Sequence, residues 1–225
     1  MAEEEIKVCM DLMPLEGTPE EMAVMNKWVV GKRLRVRFLE GDPEVHKKVI
    51  QYAKQWEDYA NIGLDFGNDP KAEIRVAFKP DGTSWSALGT DALKTFSFPK
   101  DGPTMNLGWL RPDSPVDQLS RVVLHEFGHA LGCIHEHQNP AGGIPWDKEA
   151  VYRFYASRGW SKERVDQNLF RKFAIDHKNY TAFDPHSIML YPIPKELTGG
   201  KLEVGWNTTL SDTDKRFIGE MYPKG

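Results

Sequence analysis

Hydrophobic and polar positions change their rhythm several times along the chain. LRVRFLEG (34–41) alternates apolar and basic residues at period two, the pattern of a half-buried strand. Gly41-Asp42-Pro43 breaks that pattern, and Asp42 is placed to cap a helix with Pro43 at its first position. Val45, Val49, Ile50, Tyr52, Ala53, Trp56, Tyr59 and Ala60 then recur at helical spacing over about five turns. GLDFG (63–67) and AEIRVAFK (72–79) read as two more strands. GTSWSALGT (82–90) reads as a loop or an edge strand, and TMNLGWL (104–110) as a short strand. A turn over 113–117 leads into VDQLSRVVLHEFGHALG (116–132), a helical run that stops at Gly132.

Beyond residue 132 strand signals are few. Helices are expected near 147–158 and 161–173, a turn-rich stretch over 176–195, and a last helix near 211–222 with Ser211 and Asp214 as its capping pair. Residues 1–30 carry many Met and Glu and no clear strand. They read as an N-terminal arm with a short helix near 18–28, where Thr18 and Glu21 have capping-box spacing. The expected organisation is this arm followed by a single catalytic domain over 31–225, divided into subdomains 31–132 and 133–225.

Composition narrows the class. A chain of 225 residues with 40% hydrophobic and 28% charged residues suits one sizeable globular domain. Net charge is −4, which argues against a nucleic-acid binder. No apolar run approaches the ~18 residues needed to cross a bilayer. The acidic start, MAEEEIKVCMDLMP, lacks the apolar segment of a secretory signal, so the sequence leaves the localisation unknown. Two cysteines are too few for a disulfide scaffold.

The chemistry concentrates in LHEFGHALGCIHEH (124–137). On a helix His125 and His129 lie on one face, one turn apart, and can reach the same metal ion. Glu126 sits beside the first ligand and can reach a water at the metal without being a ligand itself. Gly132 supplies the left-handed stop, after which His135 can return as a third ligand. Three neutral imidazoles and a water make an open, catalytic type of zinc site. A helix with solvent-facing histidines would not explain why a glycine and a third histidine complete the pattern H-E-x-x-H-x-x-G-x-x-H.

This stretch resembles the zinc site of the metzincin metalloproteases. SIMLYP (187–192) resembles the Met-turn of that clan, with Met189 as an apolar floor beneath the histidines. Tyr191, two residues on, makes the turn similar to that of the astacin family. HEHQNP (135–140) and the last helix, LSDTDKRFIGEMYP, are also astacin-like. The resemblance implies an α+β fold with a twisted, mostly parallel sheet, two long helices and a smaller irregular C-terminal subdomain. It implies one catalytic zinc ion, held by His125, His129 and His135 with Tyr191 as a further ligand at rest. Glu126 becomes the general base and Tyr191 an oxyanion donor. The reaction implied is endopeptidase cleavage of peptide or protein substrates, by a protein expected to be monomeric and, on resemblance, secreted. The sequence departs from animal astacins in lacking their two disulfides and in carrying Asn139-Pro140-Ala141-Gly142-Gly143 after the third histidine. Glu136, the family-marking glutamate, follows a long arm here. The match is therefore to a microbial branch of the astacin type.

Other residues stay open at this level. In metzincins an extended peptide pairs with an edge strand above the zinc helix, and Trp85, Ser86, Ala87 and Leu88 are the candidates here. Cys9 is a candidate inhibitory zinc ligand, a bridge partner for Cys133, or a plain thiol. Cys133 is expected to pack. His137 and His186 are expected in surface or structural roles. Calcium has no support, since no EF-hand-like loop is present. Two rival functions keep the same ligands: a zinc-binding module whose arm blocks the cleft, and a zinc hydrolase of non-peptide amides.

Overall fold

The computed structural model describes residues 26–81, 83–139, 142–171 and 182–225. The expected helix near 18–28 lies mostly outside them; residues 26–28 are a turn followed by irregular chain.

The first half of the chain builds a five-stranded sheet from β1 (Arg33–Phe38), β2 (Gly63–Phe66), β3 (Ile74–Ala77), β4 (Ser84–Ser86) and β5 (Met105–Leu107), in the order β2-β1-β3-β5-β4. β1 pairs parallel with β2 and β3, β3 parallel with β5, and β4 runs antiparallel to β5 at the edge. Leu34 and Val36 are fully buried while their basic neighbours face outward, as period two requires.

Helix α1 (Pro43–Ala53) starts where the sequence places it, with the Asp42 side chain accepting from the Glu44 amide. It ends sooner than its apolar period suggests. From Lys54 to Asp58 the backbone tightens into a 3-10 helix, which turns Trp56 inward so that its indole Nε1 donates to Leu124 O at 3.1 Å.

Helix α2 (Val116–Ala130) lies against both the sheet and α1, and every residue from Leu119 to Ala130 is buried. A helix enclosed on all sides sits within the core instead of covering it. It ends in a Schellman motif. Gly132 takes φ 100°, its amide donates to His129 O at 2.8 Å, and the Cys133 amide donates to Gly128 O at 2.9 Å.

The second half is less regular: α3 (Lys148–Ala156), α4 (Lys162–Val165) continuing as a π-helix over Asp166–Phe170, one bridge between Ile193 and Val204, and α5 (Asp212–Met221). Ser211 and Asp214 form the expected capping box. Two hydrophobic clusters result. The larger joins sheet, α1 and α2; the smaller gathers Val151, Tyr155, Val165, Leu169, Ile193 and Leu197. Met189 belongs to the first and Leu190 to the second, so the turn between them is pinned in both.

Residues 26–30, read from sequence as the end of the arm, are clipped to this body. Trp28 Nε1 donates to Ala130 O at 2.8 Å, and the Asn26 carbonyl accepts from Thr90 N at 2.9 Å. Among the described residues no helix is long and apolar enough to cross a membrane.

Candidate metal centre

His125 and His129 project from one face of α2, and the glycine stop returns the chain so that His135 meets them. The three Nε2 atoms lie 3.2, 3.2 and 3.1 Å apart. These contacts are not hydrogen bonds between imidazoles. His125 Nδ1 is 2.8 Å from Ile188 O, and His129 Nδ1 is 2.8 Å from Cys133 O. A carbonyl only accepts, so both Nδ1 atoms carry the proton and both Nε2 lone pairs point inward. Lone pairs facing at that range repel unless a cation sits among them. Tetrahedral zinc with Zn–N of about 2.0–2.1 Å sets ligand nitrogens about 3.3 Å apart, which this spacing nearly matches. The three histidines are also the group of described residues able to hold an ion.

Burial favours the neutral form of His125. His125 is 2% exposed, and its pKa is lowered well below the ordinary value, first by burial and then by the nearby Arg121 charge. His129, His135, Glu126 and Tyr191 are buried too. The Tyr191 ring packs 4.4 Å from His135 and 6.0 Å from His125, centroid to centroid.

The floor comes from the turn after Ser187. Met189 is 4% exposed and lies over Gly128, where an added Cβ would meet its sulfur at 2.4 Å. The Met189 carbonyl accepts from the Glu136 amide at 3.0 Å, tying the third-ligand loop to the floor. Beside His135 opens a small cavity of about 50 Å³, lined by Trp56, Glu136, Asn139, Ser187, Asp214 and others. Glu136 accepts there from the Asn139 side chain and the Asp184 amide, both at 3.0 Å, and burial pushes its pKa up to about 7.

No protein-family profile and no curated protein matches this chain. Solved structures do. Myroilysin matches with TM-score 0.86 and 45% identity over 91% of this chain and 98% of its own. A second myroilysin structure matches with TM-score 0.73 and 44% identity over 98% and 93%. The chain belongs to the astacin-type metzincins. A more distant member of the fold is high choriolytic enzyme 1, a hatching enzyme zinc-protease from Oryzias latipes (Medaka fish), with TM-score 0.57 and 18% identity over 88% of this chain and 94% of that one. The α+β architecture, the zinc metalloprotease class and the three-histidine zinc site expected for an astacin-type metzincin all stand.

Several residues of this metzincin centre were not anticipated from sequence. Arg121, Gly128, Trp56 and the carbonyls of Cys133 and Ile188 all shape it. Gly128 left a signal, because a glycine inside a helix costs about 1 kcal/mol relative to alanine and calls for a packing reason. Backbone carbonyls leave none. His137 proves buried, its ring 5.0 Å from His135 and 4.6 Å from Tyr191, with Nε2 2.7 Å from Asn168 O. His186 is exposed. Cys133 holds a free, buried thiol whose pKa burial drives upward, which suits packing; Cys9 lies outside the described residues. Trp85 and Ser86 lie on edge strand β4, and Ala87 and Leu88 follow it.

Proposed function

We propose that this metzincin is a zinc-dependent endopeptidase in which Glu126 is the general base and Tyr191 the oxyanion donor. The observation that carries the reading is the convergence of three inward Nε2 atoms, two of them fixed by backbone carbonyls. His125, His129 and His135 would hold the zinc, which supplies a Lewis acid able to lower the pKa of a bound water from 15.7 to about 7. Glu126, next to the first ligand on α2, takes a proton from the attacking water and returns it to the leaving amine. Tyr191, packed against two of the three ligand rings, turns its hydroxyl toward the carbonyl oxygen as negative charge builds there. Met189 and Gly132 act structurally, as floor and as turn. Extended substrate adds to the sheet along Trp85, Ser86, Ala87 and Leu88, where β4 offers an edge. Residues 1–30 form an arm able to block the cleft, with Cys9 as its candidate inhibitory ligand.

The deciding experiment pairs zinc content with peptide cleavage. Glu126→Ala is expected to hold zinc and to lose about 10²–10⁴ in kcat. Wild-type turnover in that variant rejects the base. A chain that holds zinc and cleaves only non-peptide amides in a substrate panel, with or without residues 1–15, rejects the endopeptidase.

A further inference from the structure

We propose that Arg121 is a positioning residue for the metal centre, acting through the two peptide carbonyls that flank Met189. The inference rests on the zinc reading above. Arg121 stands one helical turn before His125 on the same face of α2. It is 4% exposed. Its Nη1 donates to Ile188 O, and its Nη2 donates to Leu190 O at 2.6 Å. Ile188 O is also the acceptor that fixes the His125 ring, at 2.8 Å from Nδ1. One carbonyl oxygen therefore joins a guanidinium and a ligand imidazole.

The same peptide is held from its other side. Its N–H, that of Met189, donates to Ser187 Oγ at 3.1 Å; that hydroxyl donates to Asp214 Oδ1 at 2.7 Å, and Asp214 Oδ2 accepts from the Ile188 amide of the preceding peptide at 2.8 Å. With its C=O tied to α2 and its N–H tied through Ser187 to Asp214 on α5, the Ile188–Met189 peptide plane is held at both edges. If Arg121 let go, the carbonyl could tilt and His125 would lose the partner that sets its tautomer. Its Nε2 lone pair would then face the metal only part of the time.

The residue type matters. Two carbonyls on either side of Met189 require two donors at a fixed separation, which the planar guanidinium fork provides. A lysine ammonium reaches one of them. A buried cation is costly to desolvate, so mere packing would be better served by an apolar side chain. Leu190 lies in the smaller hydrophobic cluster and Ile188 in the larger, so the fork also spans the seam between the two halves.

The test compares Arg121→Lys and Arg121→Met with the wild type, all as full chains. Three quantities are measured besides cleavage: zinc affinity by chelator competition, the visible spectrum of the cobalt(II)-loaded protein, and the His125 tautomer by ¹⁵N NMR of the metal-free protein. Loss of a partner that orients a ligand lowers metal affinity by about 10–100-fold. Arg121→Met is expected to fall in that range, with an altered cobalt spectrum and both His125 tautomers populated. Arg121→Lys is expected in between. If Arg121→Met does not fold, Arg121→Lys decides. A folded variant with wild-type zinc affinity, cobalt spectrum and tautomer overturns the proposal. A wild type that binds zinc but cleaves no peptide overturns the endopeptidase reading alone, because none of these three readouts depends on cleavage.

Discussion

Gly128 and the Met189 sulfur meet across the floor of the metal centre so closely that no side chain fits between them. A Cβ at Gly128 would lie 2.4 Å from Met189 Sδ and 3.2 Å from Trp56 Cζ2. Gly128→Ala sets two effects against each other. Helix propensity alone favours alanine by about 1 kcal/mol. Overpacking a closed core costs about 1–3 kcal/mol. The second is expected to win, with lower thermal stability and weaker zinc retention. A variant more stable than wild type, with unchanged zinc affinity, would show that the contact carries no weight.

Trp28 anchors the chain before the first strand to the end of the zinc helix. Its indole donates to Ala130 O, its amide to the Tyr222 hydroxyl at 3.2 Å, and that hydroxyl donates to Leu131 O at 2.6 Å. Trp28→Ala is expected to cost about 3–5 kcal/mol in denaturant unfolding. Truncation up to residue 25 should leave this clip intact and cost much less. Equal losses from both changes would contradict the assignment.

Glu136 gives the protein a pH dependence of predictable sign. Burial, only partly offset by the Asp184 amide and the Asn139 side chain, raises it from 4.5 to about 7. The folded state therefore binds this proton more tightly than the unfolded state does. The contribution to stability is full below about pH 4.5 and is lost as pH rises through about 7. Glu136→Gln stays neutral and keeps an acceptor for both donors. Chemical denaturation of the metal-free variant should show a flatter stability profile between about pH 5 and 8. An unchanged slope would place the titration elsewhere.

What the sequence disclosed and what it hid divide along a physical line. The ligand set was legible because all three histidines fall within one helix and its stop, where spacing alone decides which faces meet. The strands of the first half were legible from period two and from breakers such as Gly41-Asp42-Pro43. Helix α1 was read too long, since Trp56 and Tyr59 continue its apolar rhythm. One turn of 3-10 helix cannot be told from α by rhythm, and the tightening serves a tertiary contact, Trp56 to Leu124. The orienting carbonyls of Ile188 and Cys133 were invisible because every residue carries one. Arg121 carries no signal of its own in the sequence, because its partners are the carbonyls of Ile188 and Leu190 in a distant turn.

Order of synthesis gives the Ile188 carbonyl a further meaning. The three metal-binding histidines leave the ribosome about fifty residues before Ile188, and Asp214 follows later still. A nascent chain thus owns every nitrogen its metal needs before it owns the groups that aim His125. The ligand nitrogens and the groups that orient His125 are supplied by separate stretches of the chain, and α5 completes the second.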